Sequence, residues 1–278
     1  SEGKITPDSA VPFVHSLIKR GHESVLEHAR VSIILLHQYA FLLKNQILEI
    51  ERETGFHSYI NQIQYGSRCS ILTGNIRAWR DTVKEFCKSK IKSEELDAFA
   101  YHFHEFFPEI EMDGKLLAID LVIPQKIRTA KEYQHIRDIS VRFICDRAIA
   151  NELVRHRAAS FSQESTRYCN YGNGKFGREI TVIEPCFFDR CDDSFVYWYN
   201  GCYQAEKHYF HLLENGASPQ EARSVLPLSL KTELIMTATL AQWKEIFTLR
   251  TAPAAHPQMR ELMLPLQAEF QERWPDIF

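Results

Sequence analysis

Val141-Arg-Phe-Ile-Cys-Asp-Arg-Ala-Ile-Ala-Asn-Glu-Leu-Val154 runs straight into Arg155-His-Arg-Ala-Ala-Ser-Phe-Ser-Gln-Glu-Ser-Thr-Arg-Tyr168. Apolar residues at 141, 144, 145, 148, 149, 153 and 154 predict an amphipathic helix. Its last turn then holds Arg155 and Arg157, where cations suit the helix dipole. Beyond it, Ser160, Ser162, Gln163, Ser165, Thr166 and Arg167 supply donors in quick succession. Arginine forks match phosphate oxygens in pairs, and hydroxyls can complete the cradle. Each charge-assisted hydrogen bond to such a ligand contributes roughly 1.5–3 kcal/mol. Two readings are open from the residues themselves. One is an anion site at a helix end; the other is a solvated basic helix end pairing with Glu152 and Glu164.

Outward from this stretch, the chain alternates helical and extended patterns. Pro12–Arg20 has helical spacing and stops at Gly21. His28–Leu36 reads as a strand buried on both faces. Asn75 is placed to cap a helix carrying Ile76, Trp79, Val83 and Phe86, and Ser93 a second one running through Phe106. Leu116–Ile123 and Glu179–Ile183 read as strands. Phe195–Leu213 reads as an aromatic-rich helix. Ser218-Pro-Gln-Glu221 and Thr239-Leu-Ala-Gln242 are capping boxes, the second opening a helix to about Arg250. A last helix is expected from Pro257 to Trp274. The stretch Thr73-Gly-Asn-Ile-Arg-Ala-Trp-Arg80 also echoes Thr237-Ala-Thr-Leu-Ala-Gln-Trp-Lys244. Strands and helices without a repeated βαβ rhythm predict an α+β fold, with a mixed or antiparallel sheet packed against helices. No glycine-rich dinucleotide or P-loop pattern occurs.

Composition narrows the function classes. With 278 residues, 45% of them hydrophobic and 25% charged, the chain has ample apolar material for a globular core. A net charge of −3 argues against a non-specific nucleic-acid binder, which would be clearly basic. No apolar run approaches the roughly 18 residues of a membrane span. The seven cysteines form no CxxC pair. With Ser1–Asp8 polar and no secretion signal read there, they are expected as reduced thiols in a cytoplasmic protein.

Two further clusters bear on chemistry. In Gly21-His-Glu-Ser-Val-Leu-Glu-His28 the histidines are spaced too widely to share a helical face as zinc ligands, so no metal is expected. A turn presenting His22 and Ser24 to a ligand, or a plain surface loop, fits this segment. Arg223-Ser-Val-Leu-Pro227 and Arg250 add separate arginines, which either hold parts of an anionic substrate or simply end helices.

These clusters, in this order, resemble the flavin-dependent thymidylate synthases. The family signature is RHR followed by seven residues and then serine; here Ala158 to Glu164 separate Arg155-His156-Arg157 from Ser165. The flanking Glu152-Leu-Val and Ser165-Thr-Arg-Tyr168 fit too, as do GHESVLEH upstream and Ala222-Arg-Ser-Val-Leu-Pro227, Leu249-Arg250 and His256 downstream. The resemblance covers about 20–35 and 135–260. It implies a thymidylate synthase-complementing α+β fold as a single domain over 1–278, with a largely helical insertion at about 38–130. It implies a homotetramer with shared active sites, FAD held by Arg155, His156, Arg157 and Gln163 with Ser24 contributing, and dUMP against Glu152, Arg155, Ser165, Thr166, Arg167, Arg223 and Arg250. NADPH would reduce the flavin, and methylenetetrahydrofolate would give the carbon. Arg250 is the expected catalytic residue, stabilising negative charge on the uracil ring. A related flavoenzyme methylating UMP or hydroxymethylating a pyrimidine nucleotide is the alternative, followed by a non-catalytic nucleotide- or RNA-binding module.

The chain also departs from the family pattern. Many members carry glutamate at Gln163. The family's asparagine, its arginine two residues on and a later asparagine or histidine are here Thr239, Ala241 and Glu245, so no FAD contact is carried onto them. The echo suggests that Asn75 and Arg77 supply what Thr239 and Ala241 lack.

Overall fold

The computed structural model describes residues 6–65, 67–108, 120–121, 134–172 and 177–278. The chain divides into two units, Ser1–Asp138 and Ile139–Phe278.

In the first unit, Thr6 caps helix α1 (Pro7–Lys19) through a capping box. A 3-10 turn at Glu23–His28 leads into strand β1 (Arg30–Leu36). Helix α2 (His37–Thr54) stops at Gly55, whose φ of 72° suits a residue without Cβ. Strands β2 (Asn61–Tyr65) and β3 (Cys69–Asn75) follow, then helices α3 (Ile76–Ser89) and α4 (Glu94–His102), capped by Asn75 and Ser93 as their sequence predicts. Asp120 and Leu121 form strand β4 against β1. The sheet order is β2-β3-β1-β4. Ile33, Leu43, Ile47, Trp79 and Phe99 fill the core beneath it. Residues 38–130, expected as an insertion, thus supply β2, β3 and β4 of this sheet as well as helices.

The second unit begins with strand β5 (Asp138–Asp146) and helix α5 (Arg147–Leu153). The single helix expected over 141–154 is therefore a strand followed by a short helix. Phe143 and Cys145 are buried while Arg142 and Ile144 are exposed, the period-two alternation of a strand. Asp146 then accepts the Ile149 N–H at 2.7 Å, an N-cap that starts the helix only after it. Strand β6 (Ser160–Gln163), helix α6 (Asp193–Glu214) and helix α7 (Pro219–Ala222) precede strand β7 (Lys231–Thr239), helix α8 (Leu240–Arg250) and helix α9 (Pro257–Arg273). Sheet order is β5-β7-β6. Trp243, Phe247, Met259, Met263 and Phe270 form the core.

Two further expectations shift, and a third agrees where it is described. Glu179–Ile183 makes one bridge among the described residues, Val182 to Leu230, with Thr181 and Ile183 bonded to Lys231 and Ser229 on either side, and forms no longer ladder. The helix from Ser93 stops at His102, and His104–Phe106 is a separate 3-10 turn. Of Leu116–Ile123, only residues 120 and 121 lie among those described, and both are strand. Taken together, helices and two small sheets make an α+β protein.

The two units repeat one plan. The first unit runs strand, helix, strand, strand, helix over β1 to α3, and the second follows the same order from β5 to α8 with α6 and α7 inserted between β6 and β7. Each places its third strand between its first two, β3 between β2 and β1, β7 between β6 and β5. The match extends to side chains. Ser32 and Thr73 share a hydroxyl hydrogen bond of 2.7 Å across β1 and β3; Ser140 and Thr237 share one of 2.7 Å in the other sheet. Trp79 donates its indole N–H to Val31, the residue before Ser32, at 3.1 Å. Trp243 donates to Ile139, the residue before Ser140, at 3.0 Å. Both indoles are fully buried, so each N–H needs such a partner; leaving one unmade would cost about 1–3 kcal/mol. The echo between 73–80 and 237–244 is thus the visible part of a repeated strand–helix element.

Candidate functional site

The RHR turn lies just past the end of α5. Val154 is the C-cap, and backbone bonds from Arg155 to Glu152 and from His156 to Leu153 curl the chain back toward β6. This fold-back is what delivers His156 to α8. Arg250, the last residue of α8, donates Nε–H to His156 Nε2 at 2.8 Å, one Nη1–H to Glu152 Oε2 at 2.8 Å and one Nη2–H to the Glu152 carbonyl at 2.9 Å. Arg250 is 19% exposed and Glu152 35%, so the cluster is half sunk and reachable. The remaining guanidinium N–H groups are left for a ligand.

His156 acts as an acceptor here, which requires the neutral ring. Burial pushes its pKa below 6.5, and the neighbouring Arg250 cation pushes it the same way. The imidazole is held in the tautomer with Nδ1 protonated, so that Nε2 offers a lone pair. Arg155 and Arg157 differ from it. Both are exposed, and neither guanidinium has a hydrogen-bond or ion-pair partner among the described residues.

A second group forms around a cavity of about 510 Å3 in the same unit. Thr166 and Arg223, both expected from the sequence, line it, and Arg223 Nη1 donates to Thr166 Oγ1 at 3.4 Å. Arg223 is placed by the Ser218 capping box, which starts α7 just before it. Helix α5 joins the two groups: Arg147 and Asn151 line the cavity, and Glu152 next door receives Arg250. Gln163 and Arg147 both donate to Thr232 Oγ1 at 3.4 Å, tying β6 and α5 to β7. Ser165 accepts the Arg167 backbone N–H, and the exposed Arg167 guanidinium lies over the Tyr168 ring at 5.4 Å.

Arg147 is the cavity residue that sequence reasoning missed. In the helix expected over 141–154 it falls outside the apolar positions. Its signal was the Asp146 cap before it, which marks a strand-to-helix junction.

Other expected residues stand elsewhere. Ser24 belongs to the 3-10 turn of the first unit. There Asn75 Oδ1 is occupied in capping α3, accepting from Ala78 at 2.7 Å, and Arg77 pairs with Glu27 and with Asp81 at 3.5 Å. Counting from Thr73 as Arg250 is counted from Thr237 reaches Phe86, which is buried in the core. The first unit therefore repeats the fold of the second without its central arginine. No described group of three or more His, Cys, Asp or Glu is placed to hold a metal ion. No helix among the described residues is long and apolar enough to cross a membrane. Burial pushes the Cys145 thiol up to about 12, which leaves it a poor nucleophile near neutral pH.

Residues 131–276 match the family model described as thymidylate synthase complementing protein. The chain belongs to that family. The match falls almost wholly on the second unit, so the complementing-protein fold is the one that carries Glu152, His156, Arg223 and Arg250; GHESVLEH lies outside it. Among curated proteins, the flavin-dependent thymidylate synthase of Pyrococcus abyssi is 28% identical over 129 residues, 46% of this chain and 52% of the relative. That of Synechocystis is 29% identical over 148 residues, 50% of this chain and 69% of the relative. The Pyrococcus horikoshii protein of the same name is 30% identical over 129 residues, 46% and 52% of the two chains. The chain thus spans about half the length of the Pyrococcus relatives it matches.

Proposed function

We propose that the chain carries out the reductive methylation of dUMP to dTMP, with FAD as hydride carrier, NADPH as its reductant and methylenetetrahydrofolate as carbon donor. The observation that carries this reading is Arg250, fixed by Glu152 and His156 beside the RHR turn in the unit that matches the family.

The side chains suit both ligands. Arg155 and Arg157 are exposed cations with unspent donors, which fits the pyrophosphate of FAD. Bound there with His156 and Gln163, the flavin would supply the two-electron redox chemistry. Ser24 is proposed as a further flavin contact on the resemblance alone. Glu152, Arg155, Ser165, Thr166, Arg167, Arg223 and Arg250 are proposed to hold the nucleotide. Arg250 provides a preorganised positive charge where negative charge develops on the pyrimidine ring. A neutral His156 keeps that guanidinium aimed without adding a competing cation. The relatives' names support flavin dependence and thymidylate synthesis. Cytoplasmic location and a homotetramer with shared sites complete the proposal.

The test is to purify the protein, record its flavin spectrum and supply NADPH, methylenetetrahydrofolate and dUMP. Formation of dTMP supports the reading; turnover of UMP in place of dUMP would redirect it to another pyrimidine nucleotide.

A further inference from the structure

The first unit has a cavity of its own, of about 450 Å3, between α1, the 3-10 turn of GHESVLEH and α3. Lys19 and His15 of α1 and Arg80 and Lys84 of α3 stand around one carboxylate, Glu23. Ile18 and Pro108 add an apolar wall. Lys19, Arg80 and Lys84 lie outside the motifs of the family resemblance, and the family match at 131–276 does not reach this cavity.

The cluster is built into the fold. Arg80 is only 1% exposed. Its Nη1–H donates to the Phe106 carbonyl, and His15 Nε2–H donates to the Glu105 carbonyl at 2.7 Å, so both side chains are fixed to the 3-10 turn after α4. Glu23 accepts from Arg80 Nε at 3.3 Å, from Arg80 Nη2 at 3.4 Å and from Lys84 Nζ at 3.3 Å. Charge-assisted bonds usually measure about 2.7–2.9 Å, so one carboxylate is shared among three long contacts. Burial alone would raise the Glu23 carboxyl, yet the Arg80 and Lys84 cations hold it below 4.5, and it is ionised at neutral pH. The neighbouring acids Glu27 and Asp81 pair with Arg77. Lys19 is exposed and has no hydrogen-bond or ion-pair partner among the described residues. Leaving His15 aside, the described lining sets three cations against one carboxylate, an excess of two positive charges.

The second unit has no counterpart. By the echo, Arg80 stands where Lys244 does, and Lys244 is exposed. Lys84 stands where Thr248 does, and Thr248 spends its hydroxyl on the Lys244 carbonyl of its own helix. The sunken cations are therefore not a requirement of the repeated fold. A phosphate monoester carries about −1.5 to −2 charge at neutral pH and three acceptor oxygens, which matches the excess. The cavity is much larger than a lone phosphate and falls within the roughly 300–1,000 Å3 of small-molecule sites.

We propose that the first unit binds an organic phosphate of sugar-phosphate size in this cavity, with Lys19, Arg80 and Lys84 holding the phosphate and Ile18 and Pro108 facing the carbon body. It is a second ligand site, independent of the nucleotide reading above, in the unit that lacks the central arginine.

Isothermal titration of the full chain with ribose 5-phosphate, inorganic phosphate and ribose tests it, in wild type, Lys84→Met, Lys19→Glu and Arg223→Ala. Wild type should bind ribose 5-phosphate at least about fivefold tighter than inorganic phosphate, through burial of the carbon body, and should not bind ribose. Lys84→Met keeps the apolar stem and removes the charge, and should weaken ribose 5-phosphate about 10- to 100-fold. Lys19→Glu, at an exposed position, reverses a charge at the rim and should weaken it at least about tenfold; it keeps the test open should Lys84→Met fail to fold. Arg223→Ala, in the cavity of the second unit, should change it by less than about twofold. Loss of binding in Arg223→Ala with none in the two lysine variants would overturn the site. Equal affinities for ribose 5-phosphate and inorganic phosphate would overturn the organic ligand, and a wild type that binds none of the probes would end the proposal.

Discussion

Arg250→Ala removes the group on which the proposed chemistry turns, and its effect can be worked from three hydrogen bonds. The Nη1 bond to Glu152 Oε2 belongs to an ion pair with sides 19% and 35% exposed, so it is worth about 0–1 kcal/mol. The bonds to His156 Nε2 and to the Glu152 carbonyl contribute about 1 kcal/mol each. The expected loss of stability is about 2 kcal/mol, a fall in melting temperature of roughly 4–8 °C. Catalysis should suffer much more. Removing a preorganised donor aimed at developing charge typically lowers kcat by about 10²–10³. Initial rates of dTMP formation, read beside thermal melts, separate the two effects. A further readout is His156 itself. Arg250 is the smaller of the two influences lowering its pKa and burial the larger, so the variant should raise that pKa only part of the way back toward 6.5 in an NMR titration. Turnover within about threefold of wild type, with the loss in melting temperature as expected, would refute the catalytic role and leave Arg250 a structural tie.

Three other outcomes follow from the same geometry. Because His156 is held neutral with its pKa lowered from 6.5, its contribution to stability is complete above that value and lost as pH falls through the folded-state pKa. Melting temperature should therefore decline more steeply below 6.5 in wild type than in His156→Gln, and identical slopes would contradict the assignment. Thr239→Ala deletes a capping box whose bonds measure 3.2 and 2.8 Å, so urea unfolding should show a loss of about 1 kcal/mol; a change inside the roughly 0.5 kcal/mol typical of neutral surface sites would sink it. Cys145, buried and pushed up to about 12, should resist iodoacetamide in the native state while exposed Cys191 is alkylated, as mass spectrometry would reveal.

Local chemistry made much of this fold readable. Asn75, Ser93, Ser218 and Thr239 cap helices where their side chains predict, because capping depends on residues only three apart. Strand β5 was hidden because positions 141, 144, 145, 148, 149, 153 and 154 keep a helical count across what is a strand followed by a helix; the Asp146 cap breaks the tie. β7 was also legible in principle. Thr232, Leu234 and Met236 are buried in alternation with Glu233 and Ile235, before Thr237, Ala238 and Thr239 are buried in succession. The site was legible where it is contiguous, at RHR and its sequel. The meeting of Arg250 with Glu152 and His156 was not legible, since contacts of long sequence separation leave no local pattern; the family resemblance named these residues only as ligand contacts. The entry of Arg147 into the cavity with Arg223 left no pattern beyond the Asp146 cap before it. The repeated plan showed itself only as the echo around Trp79 and Trp243. Its deeper basis is a pair of hydroxyl contacts and a pair of indole bonds that no linear reading displays.

The most direct test of the central claim is one reaction mixture. The purified chain, loaded with FAD and given NADPH, methylenetetrahydrofolate and dUMP, should bleach its flavin spectrum on reduction and then release dTMP as the oxidised spectrum returns. A protein that retains no flavin and forms no dTMP under these conditions would contradict the account.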